Sequence, residues 1–329
     1  MNHNISSNLF ATDDNLYSWV QILKKKPQRF LSYSLLPKHI KQQLTQTADL
    51  RQQNHVANCW RVMIELYQQN KLNYYHLQAK QTFNHHKIIW QYWGQGIDDN
   101  LPDVVKVCFA SVDNHAGDYQ VIRLDDNNIS QYLDFPDFVF TKRQNPKFKP
   151  AFFADLLRLA LLSVYGGVWL DATVLLTAPI DNTCTQANFC VYERQSGADN
   201  QERWQNFNTG YFSWHSEHKI NVLNSILFAK PQQKIIDVCL TLLLNYWETQ
   251  DNVPHYFFFQ IMFDEVLRNN LVVKDYLSLD DTKPHELIYA LQHQYPIEQI
   301  QKIMQEIHIH KLTYNIKNDI ELIKPQDIA

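Results

Sequence analysis

Two charged residues interrupt an otherwise apolar segment in the middle of the chain. Asp155 and Arg158 lie three residues apart within residues 151–165, where nearly every other position is apolar. The pattern predicts a buried helix, and on a helix this spacing puts both side chains on one face. One interpretation is a self-contained ion pair, which adds little stability because lost hydration offsets the attraction. The other is ligand binding, with the carboxylate accepting from sugar or ribose hydroxyls and the guanidinium donating to hydroxyls or phosphate oxygens.

A further carboxylate, Asp171, lies in the near-continuous apolar run 168–176. Such a run is typical of a central strand covered on both faces, and alternation would place Asp171 and Thr173 on the same side. A buried carboxylate without a partner is unfavourable, and a bound divalent cation would remove that penalty. Mg²⁺ and Mn²⁺ prefer oxygen ligands and bridge carboxylates to phosphate oxygens. The alternative is a carboxylate that is hydrogen-bonded to backbone near the strand end.

Two adjacent glycines, Gly166 and Gly167, separate the predicted helix from the predicted strand. The chain contains only seven glycines, so a pair indicates a special backbone requirement. One of them suits the left-handed position that closes a helix. The other lets the backbone approach a neighbour or a ligand closely.

The elements that would position these residues follow from the hydrophobic pattern. Residues 86–124 read as a strand, a helix and a second strand, which predicts a βαβ unit with parallel strands. Ligands of such sheets bind outside the carboxyl ends of the strands, so the loop with Gln91, Trp93 and Gln95 is a candidate pocket wall. No GxGxxG or GxxxxGK[ST] motif occurs, and neither a classical dinucleotide site nor a P-loop is supported.

The first part of the chain reads differently, because residues 15–80 carry apolar side chains at helical spacing and few strand signals. We therefore predict a helical N-terminal extension over residues 1–82 and the main domain over 83–329. The run Lys24–Lys26 adjoins apolar residues and reads either as a solvated helix end or as a contact with anionic lipid or a polyanionic acceptor.

Composition narrows the class of protein. The 329 residues are 45% hydrophobic and 13% aromatic, which is typical of a globular protein, and the formal net charge of −4 argues against a dedicated nucleic-acid binder. The sequence starts without a signal-peptide pattern and has no apolar run long enough to span a bilayer. Five scattered cysteines without a CxxC pair predict reduced thiols in the cytoplasm and no zinc site.

Taken together, these stretches resemble a known family, the capsular polysaccharide synthesis proteins. These are a bacterial group within the DXD-containing glycosyltransferases, which use nucleotide sugars on a GT-A fold. The similar motifs are "KIIWQYWGQG" with "LPDVVKVCFAS", "DYQVIRLDDNNISQYL", "FFADLLRLALLSVYGGVWLDATVLLTAPI" and "IHKLTYN", spanning residues 87–316. The resemblance implies an α/β fold with a Rossmann-like, mostly parallel central sheet flanked by helices.

The resemblance also implies site residues. Those expected to hold the nucleotide and the donor sugar are Gln91, Trp93, Asp155, Arg158, Gly167 and Thr173. Asp171 would bind the Mn²⁺ or Mg²⁺ ion that bridges the diphosphate. The late pair His310 and Lys311 would complete the metal shell and neutralise leaving-group charge, respectively. Without the resemblance, His310 reads as a strand histidine that binds no ligand.

One position departs from the wider family, which has Asp-x-Asp where this chain has Asp171-Ala172-Thr173. The capsular subgroup tends to have Thr there, so the resemblance leaves activity open. A hydroxyl is a poorer cation ligand than a carboxylate, and the ion would be held weakly, through water, or mainly by the diphosphate.

The sequence says less about which residues bind the acceptor. Residues 206–214 and 255–266 are rich in aromatic side chains, which pack against sugar rings but also fill cores. Asn208 and His255 are the candidates for hydrogen bonds to an acceptor.

The expected function is transfer of a sugar from a nucleotide-diphosphate donor to an oligosaccharide or lipid-linked acceptor in surface polysaccharide synthesis. The resemblance implies retention of anomeric configuration. The alternatives are an inactive sugar-binding subunit of the same fold and a phosphoesterase, for which the sequence lacks clustered carboxylates or histidines. The expected location is the cytoplasm, with peripheral association at the inner membrane or with other polysaccharide-assembly enzymes, and nucleic acid is not expected as a partner.

Overall fold

The computed structural model describes residues 4–11, 14–25, 34–269, 271, 275–314 and 323. The helices are α1 (Asn15–Lys25), α2 (Lys38–Gln68), α3 (Asp103–His115), α4 (Asp137–Arg143), α5 (Pro150–Val164), α6 (Asn182–Gln186), α7 (Gln201–Phe207), α8 (Lys234–Thr249), α9 (Phe258–Arg268), α10 (Glu286–Gln292) and α11 (Ile297–Glu306). The strands are β1 (Ile88–Tyr92), β2 (Gln120–Leu124), β3 (Gly167–Leu170), β4 (Val174–Leu176), β5 (Phe189–Glu193), β6 (Val222–Ala229), β7 (Leu277–Asp280) and β8 (Ile309–Lys311).

A six-stranded sheet in the order β2-β1-β3-β6-β5-β7 forms the centre of the molecule. The pairs β1–β2, β1–β3 and β5–β7 are parallel, whereas β6 runs antiparallel to β3 and β5. Strands β4 and β8 form a separate antiparallel pair. The prediction of an α/β fold with a mostly parallel central sheet flanked by helices is confirmed.

The predicted βαβ unit is present as β1, α3 and β2, with Ile88 paired to Gln120 and Tyr92 to Leu124. Every residue of β1 is buried, as expected of a strand with a neighbour on each edge. The segment after β2 forms a 3₁₀ turn at Ile129–Gln131.

Helix α5 is buried over most of its length, and this confirms the prediction of a core helix. Pro150 starts it, where a missing N–H is tolerated. Gly166 ends it at φ +69°, the left-handed conformation that the sequence predicts, and its N–H donates to the carbonyl of Leu162 at 3.0 Å. The helix packs on β1, β3 and β6 and so carries Asp155 and Arg158 into the core.

The prediction of one continuous strand through Asp171 is wrong. Strand β3 ends at Leu170, residues 171–173 form a turn, and a new strand starts at Val174. The turn is closed by the N–H of Val174, which donates to the carbonyl of Asp171 at 2.9 Å. The apolar pattern continues through the turn because Ala172 packs on Val105 of α3, so composition alone hides the break.

The N-terminal helices share the main hydrophobic core. Trp60 of α2 is fully buried, its indole N–H donates to the carbonyl of Phe258 at 3.1 Å, and Arg61 pairs with Glu265 at 2.7 Å. Within the stretch 15–80 that was predicted to be helical, Lys38–Gln68 forms one long helix, α2. The predicted boundary after residue 82 falls between α2 and β1. The Lys24–Lys26 side chains lie outside the described residues.

No helix among the described parts of the chain combines the length and the apolar character that crossing a membrane requires.

Gly167 lets β3 approach β1 closely. Its φ is +102°, and a Cβ atom there would lie 2.5 Å from the carbonyl oxygen of Ile88. We expect Gly167→Ala to lower the free energy of unfolding by roughly 2–4 kcal/mol, because backbone of both strands would have to move. Gly197→Ala is the matched control, since no atom lies within 4 Å of its Cβ position. Equal urea midpoints for the two variants would contradict this role for Gly167.

Candidate active site

Arg158 is the centre of a buried charged cluster at the carboxyl end of β3. Its Nη1 atom donates to the carbonyl oxygen of Asn224 in β6 at 2.7 Å and lies 3.2 Å from Asp155 Oδ1. Its Nη2 atom donates to Asp171 Oδ1 at 3.3 Å, and the guanidinium faces the ring of Trp169 at 5.2 Å. The side chain is almost completely buried, so these contacts replace its hydration.

Asp155 is also held by a chain of amides, which reaches the same carboxylate oxygen as Arg158 does. Asn224 Nδ2 donates to Asp155 Oδ1 at 2.7 Å, and Gln260 Nε2 of α9 donates to Asn224 Oδ1 at 3.0 Å. Burial raises the pKa of Asp155 to about 7, against the opposing effect of Arg158 and with a further increase from the charge of Asp171. Near neutral pH the carboxyl group of Asp155 is therefore present in both its protonated and its ionised form.

Asp171 is the point where the cluster reaches solvent. It follows directly after β3, and its N–H donates to the carbonyl of Ser225 at 2.9 Å. Besides Arg158, the indole N–H of Trp169 donates to Asp171 Oδ1 at 2.8 Å. One quarter of the Asp171 side chain is exposed, compared with 7% for Asp155. A ligand that approaches the cluster from solvent would meet Asp171 before Asp155.

Lys311 reaches the same turn from β8. The pairing of β4 with β8 places Lys311 opposite Val174, and its ammonium donates to Thr173 Oγ1 at 2.5 Å. The Nζ atom also lies 3.8 Å from Asp171 Oδ2. Burial lowers the pKa of Lys311, and the charge of Asp171 opposes this shift. Lys311, which was predicted as a site residue from the late motif "IHKLTYN", thus lies beside Asp171.

The structure does not place His310 with Asp171. Neighbours in a strand point to opposite faces, so His310 and Lys311 diverge. The ring of His310 is fully buried, and its Nε2 atom is 3.4 Å from Thr177 Oγ1. Burial lowers its pKa to about 3. His310 thus lies in the core, as the residue suggests without the family resemblance, and the metal-ligand role that the resemblance implies stays a prediction.

Gln91 and Trp93 lie on the β1 side of the turn. Gln91 is fully buried, its Oε1 accepts from Arg123 Nε at 3.1 Å, and its Nε2 has no hydrogen-bond partner among the described residues. Trp93 packs with Ala172 and with α3 residues. Of the predicted pocket wall, Trp93 thus contacts the turn that holds Asp171 and Thr173. Gly167, in contrast, packs on Ile88, and its role in the structure is strand packing.

The two predicted acceptor residues contact protein groups away from Arg158. His255 Nε2 lies 3.1 Å from Asp49 Oδ1 of α2, and its Nδ1 accepts from the N–H of Phe257 at 3.1 Å. Asn208 closes α7, where its N–H donates to the carbonyl of Trp204. A cavity of about 550 Å³ opens beside α7, and no residue of the charged cluster lines it.

Four further residues near the cluster were not predicted. Asn224 and Gln260 complete the hydrogen bonding of Asp155, and the signal that could have found Asn224 is a polar pair inside the apolar strand "VLNSILFA". Tyr256 and Tyr314 are 63% and 60% exposed. The pKa of Tyr256 is raised by desolvation first and then by the charges of Asp155 and Asp171, and its ring packs against Phe152 of α5.

The residues present fit a divalent cation poorly. Within the described parts of the chain no group of three or more His, Cys, Asp or Glu side chains comes together as a metal site. Asp171 Oδ1 already accepts from Trp169 and Arg158, and Thr173 Oγ1 accepts from Lys311. The expected Mn²⁺ or Mg²⁺ ion therefore remains a prediction.

The raised pKa of Asp155 predicts a pH dependence of stability. The folded protein keeps this proton up to about pH 7, whereas the unfolded chain loses it near the usual value of 3.8, so stability falls as pH rises through this range. We expect Asp155→Asn to reduce this loss in the free energy of unfolding by on the order of 2–4 kcal/mol, as measured by urea titrations between about pH 4 and pH 8. The exposed Asp134→Asn is the control. If the stability of Asp155→Asn changes with pH as much as that of the wild type does, another ionisable group causes the pH dependence.

The chain is similar to known proteins in its sequence. A fungal protein, O-glycosyltransferase braB of Annulohypoxylon truncatum, is 28% identical over 116 residues, which cover 33% of this chain and 28% of that protein. The chain thus spans little more than a quarter of that relative. Among solved structures, the PaToxG glycosyltransferase matches 74% of this chain and 84% of its own at 13% identity, with a TM-score of 0.32. The family described as capsular polysaccharide synthesis protein matches residues 39–324, and the chain therefore belongs to that family.

Proposed function

We propose that this protein is a glycosyltransferase that moves a sugar from a nucleoside-diphosphate donor to a saccharide acceptor during capsule synthesis. The observation that carries the proposal is the convergence of Asp171, Arg158 and Lys311, which come from three different elements, on one solvent-accessible turn. Family membership supports the same activity. We further propose a GT-A arrangement with retention of configuration, as the family resemblance implies.

The chemistry requires positive charge at the leaving group. The bond between the anomeric carbon and the diphosphate oxygen breaks, and its electron pair stays on the diphosphate. The acceptor hydroxyl oxygen forms the new bond to that carbon, and its proton passes to the departing diphosphate. Fixed donors close to the developing negative charge stabilise such a transition state. In this proposal Lys311 contacts the diphosphate, and Arg158 orients the donor from the opposite side of Asp171.

The remaining residues would bind the donor and the acceptor. Asp171 is the exposed acceptor for hydroxyls of the donor sugar, and Asp155 acts behind it by fixing Arg158. The unpartnered amide of Gln91 and the ring of Trp93 place the nucleotide on the β1 side. Tyr256 and Tyr314 present exposed rings, which suit contacts with an acceptor sugar.

Asp155 and Arg158 already satisfy each other within the protein, so their pairing also fits the self-contained interpretation. A saccharide-binding subunit without turnover would use the same geometry. The distinction between enzyme and binding subunit therefore depends on donor hydrolysis.

A screen of nucleotide sugars tests the proposal. Each sugar nucleotide is added with EDTA or with Mn²⁺, thermal shift reports binding, and release of the nucleoside diphosphate reports turnover. The expected result is stabilisation by one class of donor together with slow hydrolysis when no acceptor is present. Binding without hydrolysis or transfer would establish the binding subunit instead, and no binding by any donor would overturn the proposal.

A further inference from the structure

The ammonium group of Lys311 occupies the place between the two positions that a DXD-type motif would offer to a metal ion. It lies 2.5 Å from the hydroxyl oxygen of Thr173 and 3.8 Å from Asp171 Oδ2. These are the first and third residues of Asp-Ala-Thr, the positions of the two carboxylates in Asp-x-Asp. A monovalent cation that belongs to the chain is thus already present at this turn.

The other oxygen of Asp171 faces a second cation. Arg158 Nη2 donates to Asp171 Oδ1 at 3.3 Å, and the indole of Trp169 donates to the same atom. One carboxylate is therefore shared by two positive side chains. A divalent cation bound to this carboxylate would be repelled by both, and the hydroxyl of Thr173 would add no charge to compensate.

We propose that Lys311 and Arg158 replace the divalent metal ion, so that this chain binds the donor diphosphate without a metal. The inference rests on the proposed function and specifies how its leaving group is neutralised. A sugar-linked nucleoside diphosphate carries two negative charges, and the two side chains supply two positive charges. The neutral Thr173 suits this arrangement, because a carboxylate at that position would repel the diphosphate unless a metal lay between them.

The Lys311 side chain keeps 20% of its surface exposed, and Asp171 beside it is also partly exposed. The ammonium also donates to the carbonyl oxygen of Leu312 at 3.1 Å, so a diphosphate would have to replace one of its contacts within the protein. Thr173 Oγ1 accepts from Lys311, and its own proton is free to be donated to a phosphate oxygen.

The test measures diphosphate binding separately from catalysis. Calorimetric titration of the full chain with inorganic diphosphate is carried out in excess EDTA and repeated with Mn²⁺ in place of EDTA. We expect the two affinities to agree within about threefold, and Lys311→Met to weaken binding in EDTA by at least about tenfold, as loss of a charge-assisted contact predicts. The exposed Lys302→Met is the matched control and should bind as the wild type does.

A variant that carries a second carboxylate in place of the ammonium group should bind Mn²⁺. In the double variant Thr173→Asp with Lys311→Met, a second carboxylate replaces the ammonium, and we expect the paramagnetic resonance signal of Mn²⁺ to show binding that the wild type lacks. Failure of the double variant to bind Mn²⁺ would overturn the placement of Lys311 at the cation position. The wild-type titration still decides the inference if a variant does not fold.

The two proposals fail in different ways. Donor turnover that stops in EDTA and returns with Mn²⁺, or diphosphate affinity that rises more than about tenfold with Mn²⁺, would overturn the metal-free assignment and leave the transferase proposal standing. Diphosphate binding in EDTA without turnover of any nucleotide sugar would support the metal-free site and overturn the transferase proposal.

Discussion

Asp171→Asn is expected to reduce donor turnover by about 10²–10³-fold while the protein stays folded. The carboxylate accepts from Trp169 and Arg158 through one oxygen and lies 3.8 Å from Lys311 through the other. An asparagine keeps an oxygen for Trp169 and Arg158. Its amide N–H groups, however, would face the ammonium of Lys311, and the position of that cation would be lost together with one negative charge.

The measurement is release of nucleoside diphosphate under single-turnover conditions, with thermal unfolding recorded for the same samples. Asp134→Asn is the matched control, because Asp134 is an exposed carboxylate that also pairs with a lysine, Lys80. A fully active Asp171→Asn enzyme would remove this carboxylate from the site. A loss of activity that merely follows a loss of folded protein would assign Asp171 a structural role.

Arg158→Lys is expected to weaken donor binding by at least about tenfold without unfolding the protein, because lysine keeps the charge but not the planar fork of donors. The guanidinium contacts Asp155, Asp171 and the carbonyl of Asn224 simultaneously. A single ammonium group cannot reach all three acceptors in the same geometry. Titration with the donor found in the screen measures the change.

The matched control is Arg194→Lys. Arg194 is a buried arginine paired with the buried Asp281 at 2.9 Å, and it makes no hydrogen bond or ion pair with the charged cluster in the contacts that the structure describes. Both variants should lose stability, but only Arg158→Lys should lose affinity for the donor. Equal donor affinities in folded samples of the two variants would exclude Arg158 from donor binding.

The substitution Arg158→Ala tests how much the pair of Arg158 and Asp155 contributes to stability. It leaves Asp155 buried without its cation, a change that typically costs roughly 3–5 kcal/mol. Arg158 lowers the pKa of Asp155, so its loss favours the protonated carboxyl group. Above that raised pKa the double variant with Asp155→Asn should recover part of the lost free energy of unfolding, because it has no carboxylate to leave without a cation. Strictly additive losses would show that the two side chains do not interact energetically.

The local elements around the site follow from the sequence because their signals are local. The βαβ unit of β1, α3 and β2 and the buried helix α5 were predicted from the hydrophobic pattern, and a left-handed glycine after α5 was predicted from the pair Gly166 and Gly167. The charge pair Asp155 and Arg158 follows from helical spacing, since three residues along a helix return to the same face. These features depend on neighbours within a few residues.

Other features required the tertiary structure because long-range pairing decides them. The turn at 171–173 interrupts an apolar run that reads as one strand, and Ala172 keeps the pattern apolar by packing on α3. Which of His310 and Lys311 faces Asp171 depends on the register between β4 and β8, and a shift by one residue would exchange them. Asn224 and Gln260 join the cluster only because β6 packs against α5 and α9 packs against β6.

The sequence by itself therefore determined which residue types carry the chemistry and the elements on which Asp155 and Arg158 lie. The tertiary structure decided their partners: the two amides behind Asp155, the ammonium of Lys311 beside Asp171 and the core position of His310. The physical reason is that charge and helical period are properties of short segments, whereas contacts between segments that are distant in the sequence depend on strand register and helix packing.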